Sequence, residues 1–146
     1  NGALVTLGAS WDVWDHGHPH IELYGTEGAL RIPDPNIFSG ELQISSRDGG
    51  FDPVPKWDHP FGIENEEYDT GWIANYRSAG LADLAKAIRE GREARCLIQR
   101  PLHAVEVMTA ILQSAETGRV IEMATTCTRP DPLRPEEART LIKGII

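Results

Sequence analysis

The sequence predicts an α+β fold with a mainly antiparallel sheet. Three observations carry that prediction. Short segments with period-two apolar alternation fill the first third of the chain. Helical stripes at i, i+3, i+4, i+7 begin only after residue 78. Strands and helices therefore come in blocks and do not alternate, which favours an α+β layer arrangement over a doubly wound parallel sheet.

The elements follow in order. Ala3 to Ser10 alternates, with Ala3, Val5, Leu7 and Ala9 on one side, and is expected to be a strand. Residues 11–20, "WDVWDHGHPH", suit an irregular crossover. Ile21 to Tyr24 alternates again, with Ile21 and Leu23 inward. Gly25-Thr26-Glu27-Gly28 suits a tight turn with Gly28 in the left-handed region, after which Ala29 to Ile32 returns antiparallel. Pro33 and Pro35 lack the amide donors a ladder needs and stop the strand. Glu41 to Ser46 gives a further strand with Leu42 and Ile44 inward, and Phe51 to Lys56 a short one broken by prolines. The sheet so formed is apolar on one face and polar on the other, an arrangement antiparallel sheets tolerate.

Residues 57–75 read as a long irregular connection rich in aromatics, and loops of that length are often functional. A first helix carries Leu81, Leu84, Ala85 and Ile88 as its stripe and stops at Gly91. Ser78 is its expected N-cap, with Thr70 as the alternative for an earlier start. A second helix has Pro101 in its first turn, a stripe of Val105, Met108, Ile111, Leu112 and Ala115, and a stop at Gly118. Val120 to Met123 is expected to be a short strand. Pro130, Pro132 and Pro135 stiffen the tail, and Pro135-Glu136-Glu137 opens a last helix whose carboxylates suit the positive end of its dipole. The expected division is a domain over 1–128 followed by a Pro-rich tail and terminal helix over 129–146.

The chain has 146 residues, 40% apolar and 25% charged, ordinary values for a globular domain with one core. Its net charge of −8 argues against nucleic acid and anionic membrane surfaces as partners. No apolar run approaches the roughly 20 residues that span a bilayer. Five carboxylates and no Lys or Arg fall between Asp58 and Asp69, as expected of a solvated loop. Cys96 and Cys127 have no metal or redox spacing and point to a reducing, cytoplasmic setting. The chain starts directly in an apolar run, as expected of a piece cut from a longer protein.

Candidate chemistry is sparse. His16, His18 and His20 could gather zinc or copper, but Gly17 and Pro19 suit ordinary loop residues better. All four tryptophans, Trp11, Trp14, Trp57 and Trp72, fall in loop segments. Aromatic faces stack on the C–H faces of sugars, so their grouping hints at a carbohydrate-like ligand, although they could equally lid the core. Arg77, ahead of the first helix, could clamp a ligand or pair with the acidic segment 64–69. His103 and Glu106 stand at i, i+3 and are expected to be structural. There is no G-x-S-x-G, no P-loop and no glycine-rich turn opening a helix, so no catalytic set is expected.

Two stretches resemble the Gfo/Idh/MocA oxidoreductase family, in its C-terminal domain. They are "HIELYGTEGALRIPDPNIFSGELQI" and "NYRSAGLADLAKAIREGREARCLIQRPLHAVEVMTAILQSAETGRVIEM". The resemblance covers roughly residues 1–130. It implies an open-faced sheet with helices packed on one face, which walls the substrate site and makes a homo-oligomer interface. It also implies a separate N-terminal Rossmann domain holding NAD or NADP, and a sugar, inositol or related polyol as substrate. The family's Glu-Lys-Pro motif is not in this sequence, and its Asp and His helix would precede Asn1, so no catalytic, cofactor-binding or metal residue is carried over. The expected substrate-side residues are Trp57, His59, Trp72, Tyr76 and Arg77. The alternatives are a stand-alone carbohydrate-binding or protein-interaction module, and a metal module using the three histidines.

Overall fold

A computed structural model describes residues 2–69 and 71–143. The fold is mixed α+β, with antiparallel sheets and three helices. The chain forms two compact units, Asn1–Asn36 with Gly40–Pro55, and Ile37–Ser39 with Lys56–Ile146.

The first unit holds a four-stranded antiparallel sheet in the order β1 (Ile21–Tyr24), β2 (Ala29–Ile32), β3 (Gln43–Ser45), β4 (Asp52–Pro53). Its register pairs Ile21 with Ile32, and sets Leu23 against Leu30 and Leu30 against Ile44. Glu22, Arg31 and Gln43 are matched on the opposite face, as are Tyr24, Ala29 and Ser45. Period-two geometry therefore separates an apolar face from a polar one, as the alternation predicted. The apolar face is not sealed: Leu23 and Ile44 stay about half exposed, at 50% and 49%. The expectation that both point inward is corrected in that respect.

The β1–β2 turn uses glycine for a different reason than expected. Gly25 N–H donates to the Gly28 carbonyl at 2.9 Å. Gly28 does not take a left-handed φ. A Cβ there would instead run into the Ser45 carbonyl oxygen on β3, so the requirement is close strand approach. On the polar face Glu22 accepts from the Tyr24 hydroxyl at 2.8 Å and from Arg31 Nε at 3.0 Å. These bonds, the tyrosine's first, hold the Glu22 carboxyl below the usual carboxylate range. Arg31 also lies over the Phe51 ring, 3.9 Å from its centroid.

Ala3 to Ser10 forms no strand, and Leu4, Val5 and Leu7 are exposed. Alternation supplies the side chains of a strand but not the neighbouring ladder that one needs. Val120 to Met123 likewise forms no strand, for the same reason.

In the second unit the segment 57–75 is more regular than expected. It contains a 3-10 turn, Pro60–Gly62, and a hairpin of β5 (Glu66–Tyr68) and β6 (Gly71–Ile73), with Glu67 opposite Trp72. Successive glutamates hide this hairpin in the sequence because they are poor strand formers. Helix α1 spans Ala79–Glu90, α2 Gln99–Thr117 and α3 Pro135–Lys143. Gly91 and Gly118 end the first two in left-handed conformations, as predicted. Ser78 occupies the N-cap of α1 without a capping side-chain bond, and the alternative cap, Thr70, lies outside the described residues.

The expected stripes are not the buried faces. Leu81 and Ile88 are exposed, and α1 buries Ala79, Asp83 and Ala87. Small side chains let α1 and α3 approach closely, and a cluster of Phe61, Ala79, Ala138 and Leu141 forms there, flanked by Tyr76, Ala82, Leu133 and Ile142. On α2 Val105, Met108, Ile111 and Leu112 are all exposed, and Ala110 alone among its described residues is buried.

Asp83 is the buried charge of this unit, 5% exposed. Its carboxylate accepts from Arg92 Nη2 at 2.9 Å, Arg95 Nη1 at 2.7 Å and the Arg95 backbone N–H at 2.9 Å. Arg95 Nη2 continues to Glu137 on α3 at 2.8 Å. The network thus ties α1, the segment after it and α3 together. Burial alone would raise the Asp83 pKa, but the Arg95 amide and the two guanidiniums outweigh it and hold the carboxyl below its usual range.

Candidate functional site

A cavity of about 560 Å³ opens in the second unit, lined by Asn65, Glu66, Asn75, Tyr76, Arg77, Ser78 and Ile142. That volume is in the range of small-molecule sites. Its frame is the base of the β5–β6 hairpin and the turn into α1. Asn65 N–H donates to the Ile73 carbonyl at 2.9 Å, at the open end of the ladder. The Asn65 amide then locks onto the opposite backbone: its Oδ1 accepts from Asn75 N–H at 2.7 Å, and its Nδ2 donates to the Asn75 carbonyl at 3.0 Å. Asn75 Nδ2 in turn donates to Glu66 Oε2 at 2.5 Å.

Tyr76 is fixed at the cavity's edge by both ends. Its hydroxyl donates to the Ile63 carbonyl at 2.9 Å, and its ring sits 4.9 Å from Phe61 and 5.9 Å from Phe38. Arg77 and Ser78 follow in the turn that starts α1, and Ile142 of α3 adds an apolar side chain. The lining is thus a carboxylate, a guanidinium, two amides and two hydroxyls beside one aliphatic group. Such a set can hydrogen-bond a polyhydroxylated molecule, but it holds no nucleophile–base pair.

Of the five residues singled out from the sequence, the cavity brings together Tyr76 and Arg77. Trp57 is exposed and lies against the His59 ring at 4.8 Å. His59 has protein partners at both nitrogens. Nδ1 accepts from Phe61 N–H at 3.2 Å, capping the 3-10 turn, and Nε2 is 3.1 Å from the Leu133 carbonyl. Since Nδ1 accepts, Nε2 carries the proton and donates. Trp72 is exposed on β6 and is not part of the lining. Asn65, Glu66, Asn75, Ser78 and Ile142 were not anticipated, because Glu64 to Asp69 reads as a solvated acidic run. The one sequence signal for them is an asparagine at each end of the segment 65–75.

The other candidates have plain structural positions. The His16 and His20 rings stand edge to face at 6.4 Å, and His20 Nε2 is 3.9 Å from Asp34 Oδ2. Among the described residues no group of three or more His, Cys, Asp or Glu is placed to hold a metal ion. Glu106 accepts from the Ala124 and Thr125 backbone N–H groups at 2.6 and 2.8 Å and from the Thr125 hydroxyl. These bonds, the hydroxyl's first, keep its carboxyl below the usual range. His103 Nδ1 joins the same hydroxyl at 2.9 Å. The group straps residues 124–125 to α2. The Gly25–Gly28 turn joins two strands and opens no helix, so it does not fit a dinucleotide pyrophosphate. No described helix is long and apolar enough to cross a membrane.

Residues 1–123 match the oxidoreductase family's C-terminal alpha/beta domain. The chain therefore belongs to the Gfo/Idh/MocA family, as that C-terminal domain. Comparison with curated proteins and with solved structures gave no match.

Proposed function

We propose that this chain supplies the substrate-side wall of an NAD(P)-dependent oxidoreductase acting on a sugar, inositol or related polyol. The observation that carries the proposal is the polar cavity at Asn65–Ser78 in a chain that belongs to an oxidoreductase family. The nicotinamide would supply hydride chemistry, held by a separate N-terminal nucleotide-binding domain. This chain's part is to bind and orient the hydroxyl-bearing carbon skeleton. Tyr76 and Arg77 do so from the cavity, and exposed Trp57 and Trp72 offer stacking faces nearby in sequence. His59 braces that surface through Leu133. The half-exposed apolar face at Leu23 and Ile44 suits a homo-oligomer interface. Two free, exposed cysteines suit the reducing cytoplasm.

The test is NAD(P)+ reduction by the full-length protein over a panel of sugars and inositols. Turnover of at least one polyol, lost when Arg77→Ala is introduced, supports the proposal; no turnover with any polyol under either cofactor overturns it. In parallel, NAD(P)H is titrated into this chain alone by nicotinamide fluorescence. No saturable signal is expected, and a micromolar one would remove the division of labour between domains.

A further inference from the structure

A second cavity, of about 380 Å³, opens where α1 meets α3. That volume suits a small organic molecule. From α1 it is lined by Ala82, Ala85, Lys86, Arg89 and Glu90, which recur at three- and four-residue spacing and so share one helix face. From α3 it is lined by Thr140 and Leu141. Leu141 is 4% exposed and belongs to the apolar cluster between the two helices. With Ala82 and Ala85 it makes part of the lining apolar, and Lys86 and Arg89 make another part basic.

The two cations are not matched by the protein's own carboxylates. The Lys86 ammonium makes no hydrogen bond among the described residues, and its ion pair with Glu90 Oε1 is long, at 3.9 Å. The other Glu90 oxygen is taken by Arg92 Nε at 3.0 Å. Glu137, which also feels the Lys86 charge, already accepts from Arg95 Nη2 at 2.8 Å and from the Arg134 N–H at 3.2 Å. Yet only 27% of the Lys86 side chain is exposed, so water reaches it only in part. The Arg89 guanidinium makes neither an ion pair nor a hydrogen bond among the described residues. Its place in the last turn of α1 suits the helix dipole but leaves its planar fork of donors open.

Lys86 and Arg89 against Glu90 leave the lining one positive charge in excess, on a chain whose net charge is −8. One excess charge matches a monoanion better than a phosphate monoester, which carries about −1.5 to −2 at neutral pH. A carboxylate is such a monoanion, and it fits a guanidinium fork in bidentate fashion. We propose that this cavity binds a small monocarboxylate with an apolar chain. Arg89 and Lys86 hold the carboxylate, and the chain lies against Ala82, Ala85 and Leu141. The site is separate from the one assigned to the polyol: α3 gives Ile142 to the first cavity and Leu141 to this one.

The experiment titrates sodium hexanoate into the full chain at neutral pH and fixed ionic strength, with backbone amide NMR shifts of Ala85, Arg89 and Leu141 as the readout. Hexanol and sodium acetate serve as the uncharged and the chainless counterparts. Saturable shifts are expected with hexanoate, and affinities at least about tenfold weaker with either counterpart. Arg89→Gln and Lys86→Gln should each weaken hexanoate roughly fivefold, the scale of a partly solvated charge pair, and the double variant should lose saturation. Arg139→Gln removes the same charge from α3 outside the lining and should leave the affinity unchanged. The proposal is overturned by no saturable shift at tens of millimolar hexanoate, or by hexanol or acetate binding as tightly. It is also overturned if Arg139→Gln weakens binding as much as Arg89→Gln, the mark of a diffuse field and not a site. None of these outcomes touches the oxidoreductase reading, because no residue of the first cavity is altered.

Discussion

Replacing Asp83 by Asn tests the charge network that joins α1 to α3. The native carboxylate is 5% exposed and accepts three hydrogen bonds of 2.7 to 2.9 Å, from Arg92, from Arg95 and from the Arg95 backbone. Hydrogen bonds to a charged group are worth about 1.5–3 kcal/mol each, and breaking a fully buried pair costs about 3–5 kcal/mol. Arg92 and Arg95 keep 32% and 23% of their side-chain surface in water, so solvent recovers part of the loss. Asn retains one acceptor and turns its amide nitrogen toward guanidinium donors. The net loss works out at about 2–3 kcal/mol. For a chain of this size that is a fall in Tm of roughly 5–10 °C.

The same network sets a pH signature. The folded-state pKa of Asp83 is below the usual carboxylate range, so its contribution is complete above the unfolded value of about 4 and is lost as pH falls through the folded value. Denaturant unfolding followed by circular dichroism at a series of pH values measures both effects. The gap between native protein and Asp83→Asn is expected to be widest near neutrality and to shrink below about pH 4. A gap under about 0.5 kcal/mol at neutral pH, the ordinary range for surface substitutions, would refute the reasoning. So would a gap that stays constant into acid.

Further expectations concern the sheet and the aromatic segment. Gly28→Ala drives a Cβ into the Ser45 carbonyl and should destabilise the first unit by about 2 kcal/mol, with faster amide exchange across β2 and β3. Normal exchange there would show that the close approach is not required. His59→Ala removes the bonds to Phe61 N–H and the Leu133 carbonyl and should cost about 1–2 kcal/mol, whereas exposed Trp57→Ala should cost under about 0.5 kcal/mol. Equal losses in the two variants, measured by thermal unfolding, would deny His59 its bracing role.

The sequence by itself determined what depends on neighbours along the chain. Alternation placed β1 and β2, and Pro33 stopped the second of them. Gly91 and Gly118 ended two helices, and Pro135 with two glutamates opened the third. These features need a few adjacent residues and a fixed backbone preference, so a linear reading suffices. Tyr76 and Arg77 stood out in the sequence because an aromatic and a cation stand together before a helix, and both line the cavity.

Tertiary structure decided what depends on distant partners. Leu81 and Ile88 promised the buried face of α1, but α3 approaches its alanine side, where small residues and the Asp83 network admit it. Ala3 to Ser10 has a strand's alternation without a paired neighbour. His59 is held by Leu133, 74 residues away, and Asn65 meets Asn75 because a hairpin of poor strand formers folds back on itself. No local pattern encodes a hydrogen bond whose acceptor is supplied by another segment. The cavity exists only once those segments meet.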